Sequence, residues 1–330
     1  MPHPICRALV CPLLLLPILA YGGWSQAVRP APDLLDNNTI AIAQIHPSAN
    51  PSILSILSVS SNLVLIDVSV LDQDGRPVRG LPAVAFHLFD RGAEQHILSV
   101  SETEVPVSVI IVLDESGSMG RGVTQCAQAV KQFLKGSTEG DEFALISFSD
   151  RVVLESDFTA DAGAIQARLM GAASHGRTAL LDAVERAASL VRRAHNQRRV
   201  ILVLSDGGDN RSRYRETEVR RLLLETPAQV YAVSIAQFFQ DDSTAFGPDL
   251  LDRLCYVSGG RNVAIDGHAD LDREMTRVND EIRAEYILAY SPQHVVRDGK
   301  FHRVSLRLAR PRGVKPISMS WRLGYYDPLQ

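Results

Sequence analysis

Unbroken apolar runs alternate with helical periodicity between residues 105 and 283. The runs cover residues 107–113, 143–148, 200–204 and 230–235. Such runs are typical of strands in a parallel sheet that is covered on both faces. The alternation predicts a doubly wound, mostly parallel, Rossmann-like α/β domain over residues 105–283. Three stretches repeat apolar residues at helical spacing: Val123, Ala127, Val130 and Leu134; Leu180, Val184, Ala187 and Val191; and Leu271, Met275, Val278 and Ile282.

The segments on either side of this domain have strand patterns and no helical periodicity. Strands are predicted before it at 63–71, 86–89 and 96–100, and after it at 286–290, 303–308 and 318–323. About forty residues with three short strands cannot bury a core alone. We therefore expect one small β domain, built jointly from residues 53–104 and 284–330, with the α/β domain inserted between its halves.

The first 27 residues have the pattern of a secretory signal peptide. Arg7 gives a positive start, an apolar run of about a dozen residues follows, and Ala27 ends a small-residue cleavage site. The alternative is an uncleaved anchor, although the run is short for a bilayer span. Residues 28–52 are rich in proline and polar residues and are predicted to be a flexible lead.

Export is therefore the expected fate of the chain, to the periplasm, the cell surface or the medium. No later run approaches the length of a transmembrane helix, so no membrane span is expected in the mature chain. After cleavage, Cys126 and Cys255 are the two cysteines that remain. Both lie in predicted helices beside apolar neighbours, which favours two separate buried thiols over a disulfide, although spacing alone does not decide.

Charge and composition exclude several classes of protein. The 330 residues contain 34 Lys and Arg against 38 Asp and Glu, a net charge of −4. A general nucleic-acid-binding protein usually has a basic domain or stripe, so no nucleic-acid partner is expected. Apolar residues make up 45% and charged residues 22%, as in ordinary globular chains, which argues against disorder as the main state.

Oxygen-bearing side chains follow the ends of the predicted central strands. Asp114, Ser116 and Ser118 come after the first strand, Thr178 follows a Gly-Arg pair, and Asp206 follows the strand at 200–204. Ligands of open α/β sheets bind at the carboxyl ends of the strands. Carboxylates and hydroxyls without His or Cys suit Mg²⁺, with Mn²⁺ or Ca²⁺ possible, and disfavour zinc.

Two other interpretations of these residues stay open at this stage. Ser, Asp and Thr at such positions are also favoured as helix N-caps. Gly117, Gly120 and Gly122 hint at dinucleotide binding, but their spacing differs from the fingerprint. Ser116 or Ser118 as a nucleophile would need a base, for which His175 is the nearby candidate, and no nucleophile elbow surrounds either serine.

The five residues resemble the metal-ion-dependent adhesion site of the von Willebrand factor A (VWA) domain family, over about residues 105–283. The whole chain, with its strand-rich flanks and closing Gly324-Tyr325-Tyr326, also resembles exported bacterial VWA-related proteins. The resemblance implies that Ser116, Ser118 and Thr178 touch the metal directly. It implies that Asp114 and Asp206 act mostly through waters or hydroxyls.

The expected function is that of an exported binding protein rather than an enzyme. Its Mg²⁺-type site would recognise a protein partner that presents an acidic side chain. Two alternatives remain: a metal-dependent phosphoester hydrolase, and a structural envelope protein whose metal only stabilises loops.

Overall fold

The computed structural model describes residues 63–102, 104–235, 247–265, 268–293, 299–309 and 318–326. The predicted signal peptide 1–27 and the lead 28–52 lie outside these ranges. Within them, no helix is long and apolar enough to cross a membrane.

A six-stranded sheet forms the centre of the α/β domain, in the order β10-β9-β8-β5-β6-β7. All neighbouring pairs are parallel except β6 and β7. The fold class predicted from the sequence is thus confirmed. The strands are β5 Val107–Asp114, β6 Glu142–Phe148, β7 Val152–Thr159, β8 Arg198–Ser205, β9 Gln229–Ser234 and β10 Asn262–Ala264.

Helices cover both faces of this sheet because their apolar stripes need a partner surface. On one face, α1, α2 and α6 pack on the core that contains Ile111 and Leu202. On the other face, α3, α4 and α5 pack on the core that contains Ile110 and Val203. The helices are α1 Gly122–Lys135, α2 Ala162–Leu169, α3 Leu180–Leu190, α4 Glu216–Glu225, α5 Gly247–Ser258 and α6 His268–Arg283.

The two cysteines lie on opposite faces of the central sheet. Cys126 of α1 belongs to one core and Cys255 of α5 to the other, and both are buried free thiols. The prediction of two separate thiols is confirmed, because the sheet itself stands between them.

The flanking strands form two four-stranded antiparallel sheets, in the orders β13-β1-β11-β4 and β14-β12-β2-β3. Each sheet combines strands from before and after the α/β domain, and Val68, Leu88, Tyr286 and Val304 meet in one shared core. The strands are β1 Val64–Leu71, β2 Phe86–Asp90, β3 Ala93–Gln95, β4 Ile97–Glu102, β11 Tyr286–Tyr290, β12 Phe301–Leu308, β13 Ser318–Trp321 and β14 Gly324–Tyr326.

One predicted strand is wrong in detail. The segment 318–323 is not a single strand, because β13 ends at Trp321 and β14 begins at Gly324 in the other sheet. The chain crosses between the two sheets at this point, which an apolar pattern cannot reveal.

Candidate functional site

The first candidate loop follows β5, where Asp114 is fully buried at the strand's end. The Ser116 backbone N–H donates to Asp114 Oδ1 at 2.8 Å, and the Ser116 and Ser118 hydroxyl oxygens lie 3.1 Å apart. Ser116 is buried, whereas Ser118 is exposed. A short 3₁₀ turn, Gly117–Met119, then leads to α1, and the buried Met119 side chain anchors it.

The second loop carries Thr178, which is also buried. Its backbone N–H donates to Asn210 Oδ1 at 3.0 Å. Its carbonyl oxygen accepts the backbone N–H groups of Asn210 at 2.9 Å and Arg211 at 3.0 Å. These bonds fix Thr178 to the loop that follows β8.

The third loop carries Asp206, directly after β8. Asp206 Oδ1 accepts the Gly208 N–H at 3.0 Å, whereas the buried Oδ2 has no hydrogen-bond partner. The preceding Ser205 hydroxyl donates to Asp114 Oδ2 at 2.5 Å and accepts the Gly207 N–H at 2.9 Å. The Ser205 hydroxyl therefore links Asp114 of the first loop to the backbone of the third loop.

Backbone contacts join the first and second loops. The Gly117 N–H donates to the Gly176 carbonyl at 3.0 Å, and the His175 N–H donates to the Glu115 carbonyl at 2.7 Å. Gly176 has a φ of +72°, and a side chain there would clash with the Asp150 carboxylate. The structure thus brings all five predicted residues onto three interlinked loops at the carboxyl edge of the sheet.

The helix-capping alternative is not supported by these contacts. The residue before α1 is Arg121 and the residue before α3 is Ala179, and neither residue caps its helix with its side chain. The first turn of α3 is instead capped by the Ser212 hydroxyl, which accepts the Asp182 N–H at 3.0 Å. Ser116 likewise makes no side-chain cap to the 3₁₀ turn that follows it. The hydroxyl groups of the motif are therefore free of the structural task that would otherwise explain them.

The electrostatics of the site favour a cation. Burial, with a smaller contribution from the Asp206 carboxylate, raises the pKa of Asp114 to about 7 against the opposing effect of hydrogen bonds from Ser116 and Ser205. Among the described residues, no Lys, Arg or His forms an ion pair with either carboxylate. Two mutually repelling carboxylates are thus buried without a counter-charge, which is costly unless a proton or a metal ion joins them.

The donor set fits a hard divalent ion. In the part of the chain that the structure describes, no group of three or more His, Cys, Asp and Glu side chains could hold a metal. A metal at this edge would therefore depend on hydroxyl oxygens beside the two carboxylates, as Mg²⁺, Mn²⁺ or Ca²⁺ permits and zinc does not.

Neighbouring polar residues have structural roles. Asp209 Oδ1 accepts the Ser212 N–H at 3.2 Å, as expected of a turn residue. The exposed His175 ring places Nε2 3.1 Å from Ser149 Oγ. Sequence reasoning missed Ser205 and Asn210, which join the loops. Ser205 could have been suspected because it ends a buried strand beside Asp206.

The five arginines between residues 211 and 221 do not share one helix face. Only Arg220 and Arg221 lie on α4, where each pairs with a glutamate four residues away. Arg211, Arg213 and Arg215 precede the helix. Arg213 Nε lies 3.0 Å from Asp182 Oδ2 and holds the loop to α3.

Comparison with known proteins supports the resemblance of the α/β domain to a known family. Residues 109–208 match the family model of the von Willebrand factor type A domain, a range that includes all five candidate residues. No curated protein matches the chain. Residues 109–208 are thus similar to a VWA domain, and the resemblance found in the sequence is confirmed.

Solved structures with similar folds include three bacterial proteins. A von Willebrand factor type A protein from Catenulispora acidiphila shares 14% identity, with a TM-score of 0.46, over 81% of this chain and 74% of its own. An aerotolerance-related membrane protein from Bacteroides fragilis shares 17%, with a TM-score of 0.45, over 53% and 98%. The von Willebrand factor domain of the type V pili tip protein Mfa5 from Porphyromonas gingivalis shares 13%, with a TM-score of 0.44, over 55% and 96%.

Proposed function

We propose that this chain is an exported binding protein that recognises a protein partner through a divalent metal ion at the carboxyl edge of its VWA domain. Asp114, Ser116, Ser118, Thr178 and Asp206 would hold the ion. Mg²⁺ is the first candidate because every donor is a hard oxygen, and Mn²⁺ or Ca²⁺ would also suit the site.

One observation carries the proposal. Asp206 Oδ2 is buried without a hydrogen-bond donor, beside an Asp114 carboxylate whose pKa burial has already raised. Buried unsatisfied carboxylate oxygens are rare in native proteins, and each needs a physical reason. A divalent ion would satisfy Oδ2 and cancel the repulsion between the two acids at once.

The arrangement also suits recognition of an acidic side chain. Three of the five donors are neutral hydroxyls, so two carboxylates against a doubly charged ion leave the site nearly neutral. A bound ion would then supply an electrophilic position for a further carboxylate from a partner protein. Ser118 lies on the exposed side of the site, from which such a partner would approach.

Binding accounts for the residues better than catalysis does. The Ser118 hydroxyl lies beside that of Ser116, and the exposed His175 ring contacts Ser149 and the Ala173 carbonyl. Ser116 and Ser118 therefore have no adjacent base of the kind that hydrolysis by a serine requires. The serine that does contact the imidazole, Ser149, is itself buried. Export rests on the signal-peptide pattern of residues 1–27.

Calorimetric titration with Mg²⁺ and with Mn²⁺ tests the metal site. We expect one site in the wild type and no measurable binding in Asp206→Asn, which keeps the shape of the side chain but removes its charge. Asp161→Asn is a matched control, because Asp161 is an exposed cap of α2 that Asn can replace. Equal titration of the wild type and Asp206→Asn would refute the assignment.

A capture experiment tests partner recognition. The immobilised wild type and Asp206→Asn are incubated with envelope extract, in Mg²⁺ or in EDTA, and bound proteins are compared. The proposal requires a partner that the wild type retains only in Mg²⁺ and that the variant does not retain. Hydrolysis of a phosphoester substrate in Mg²⁺ that Asp206→Asn abolishes would instead support the enzymatic alternative.

A further inference from the structure

Three exposed arginines lie on or directly after the loops of the candidate metal site, one for each loop. Arg121 follows the turn that carries Ser118, Arg177 precedes Thr178, and Arg211 lies in the loop after Asp206. We call these three residues the arginine rim. They belong to a chain whose net charge is −4, so their grouping at one edge opposes the overall charge.

Hydrogen bonds of the backbone keep the rim close to the site. The Arg211 N–H donates to the Thr178 carbonyl at 3.0 Å, which places its Cα beside the residue that follows Arg177. The Gly117 N–H donates to the Gly176 carbonyl at 3.0 Å, which ties the loop of Arg121 to that of Arg177. The three backbone positions therefore follow one set of interlinked loops.

The rim guanidinium groups form no ion pair or hydrogen bond with other described residues. Other arginines of the α/β domain do form ion pairs. Arg213 pairs with Asp182, and Arg253 pairs with Glu216 through two nitrogen atoms.

The acidic residues of these loops have other partners. Asp150 Oδ1 accepts the backbone N–H of Arg177 at 3.2 Å, and Asp209 Oδ1 accepts that of Ser212 at 3.2 Å. Neither carboxylate forms an ion pair with a rim guanidinium in the described part of the chain, so these guanidinium groups are available to an external carboxylate.

We propose that the arginine rim binds the carboxylates that flank the one at the metal, so the partner presents an acidic segment with several Asp or Glu residues. The inference rests on the proposed function and makes its partner class more specific. Arginine suits this role because its planar guanidinium can bind a carboxylate through two parallel hydrogen bonds. Exposed charges around an interface mainly set the association rate and the salt dependence.

Two synthetic peptides of known charge test the proposal by fluorescence anisotropy in Mg²⁺. One, acetyl-Gly-Gly-Asp-Gly-Gly-amide, offers a single carboxylate, and the other, acetyl-Asp-Glu-Asp-Glu-Asp-amide, offers five. We expect the acidic peptide to bind the wild type about tenfold more tightly at low salt, and we expect the gap to close as KCl is raised.

The double variant Arg177→Ala/Arg211→Ala should lose most of this preference, with about fivefold to tenfold weaker binding of the acidic peptide. Its affinity for the single-carboxylate peptide should stay within about twofold of the wild type. The control Arg186→Ala/Arg192→Ala removes two exposed arginines from α3 and the turn after it, away from the site. Equal preference in the wild type and the rim variant, or equal loss in the control, would overturn the proposal.

EDTA separates this proposal from the proposed function. If EDTA abolishes binding of the single-carboxylate peptide while the rim variant still prefers the acidic one, the metal function stands and the rim inference is wrong. The acidic peptide could instead bind equally well in EDTA and in Mg²⁺ while still depending on Arg177 and Arg211. In that case the rim is an anion-binding surface, and the proposed metal-dependent recognition is wrong.

Discussion

The two ends of strand β8 bury the same number of carboxylates in opposite electrostatic settings. At its carboxyl end, Asp114 and Asp206 are buried without a described cation beside them. At its amino end, Glu281 and Glu285 are equally buried, but Arg198 and Arg261 face them. The protein therefore neutralises one pair of acids with its own arginines and leaves the other pair to an external cation.

The paired end has the contacts expected of a structural cluster. Arg198 Nη2 lies 3.3 Å from Glu285 Oε2, and Arg261 Nε lies 2.5 Å from Glu281 Oε2. The Ser69 hydroxyl of β1 donates to Glu281 Oε1 at 3.1 Å, so the cluster also joins the flanking strands to α6. Burial raises the pKa of Glu285 to about 8 against the opposing effect of Arg198.

The two pairs of acids show how structural and functional carboxylates can be distinguished in this chain. Both pairs are buried, and each contains a carboxyl group whose pKa is raised by burial, so burial and titration alone do not distinguish them. What distinguishes them is the source of the compensating charge, because an internal guanidinium is permanent whereas an external ion can leave and can bind a partner.

Removing the internal cation should have the largest effect. At about pH 9, where Glu285 of the wild type is ionised, Arg198→Met removes the counter-charge of this buried carboxylate, and we expect a loss of about 3–5 kcal/mol in the free energy of unfolding. Urea denaturation measures this loss, which should be the same in Mg²⁺ and in EDTA. Arg193→Met removes an exposed partner of Asp157 and should cost less than about 1 kcal/mol. A loss of stability in Arg198→Met that depends on Mg²⁺ would contradict the difference between the two ends of β8.

A pH titration of stability should identify the uncompensated end. The pKa of Asp114 is about 7 in the folded chain and 3.8 in its ordinary state, so its protonated form stabilises the fold fully at low pH. This stabilisation disappears as the pH rises from about 4 to 7. In EDTA, the wild type should therefore lose roughly 2–4 kcal/mol relative to Asp114→Asn over this range.

The control for the titration is Asp161→Asn, whose stability should follow that of the wild type at every pH. Saturating Mg²⁺ should reduce the loss of stability of the wild type with rising pH, because the ion takes the place of the proton on the carboxylates. A constant difference between the wild type and Asp114→Asn from pH 4 to 7 would contradict the assignment of the titration to this carboxyl group.

Ser118→Ala should have the smallest effect on folding. The side chain is exposed and its one described contact is the Ser116 hydroxyl, so the free energy of unfolding should change by less than about 0.5 kcal/mol. Mg²⁺ affinity should still fall about tenfold, or ~1.4 kcal/mol, because one oxygen ligand is lost. Calorimetry and urea denaturation on the same variant separate the two quantities. Unaltered Mg²⁺ affinity would remove Ser118 from the ligand set.

The buried strands of the central sheet were predictable because their apolar runs are unbroken. β5 is buried along its whole length, as the sequence at 107–113 indicates. β7 was not predicted, because it is an antiparallel edge strand whose mixed residues are mostly half-buried. β3, β10 and β14 have three residues each, too few for periodicity to show.

The candidate site was predictable residue by residue because each member follows the end of a strand or precedes a helix. The hydrogen bonds that join the loops of the site were not predictable, because they connect residues that are far apart along the chain. The Ser205 hydroxyl on Asp114 and the Asn210 contact with Thr178 exist only after the strands align. The ion pairs at the opposite end of β8 were also not predictable from the sequence. Their arginines lie far along the chain from their partners, which are on α6 and in the segment after it.

The most direct test of the central claim compares the stability of the wild type and Asp206→Asn with and without the ion. In EDTA, the variant should be the more stable protein, because it removes one of two repelling buried charges. In Mg²⁺ at about 100 times its Kd, the wild type should gain ~2.7 kcal/mol and the variant nothing, so that the order reverses. Urea denaturation of both proteins in both conditions measures this reversal. A wild type that is the more stable protein in EDTA, with equal gains for both in Mg²⁺, would contradict the account.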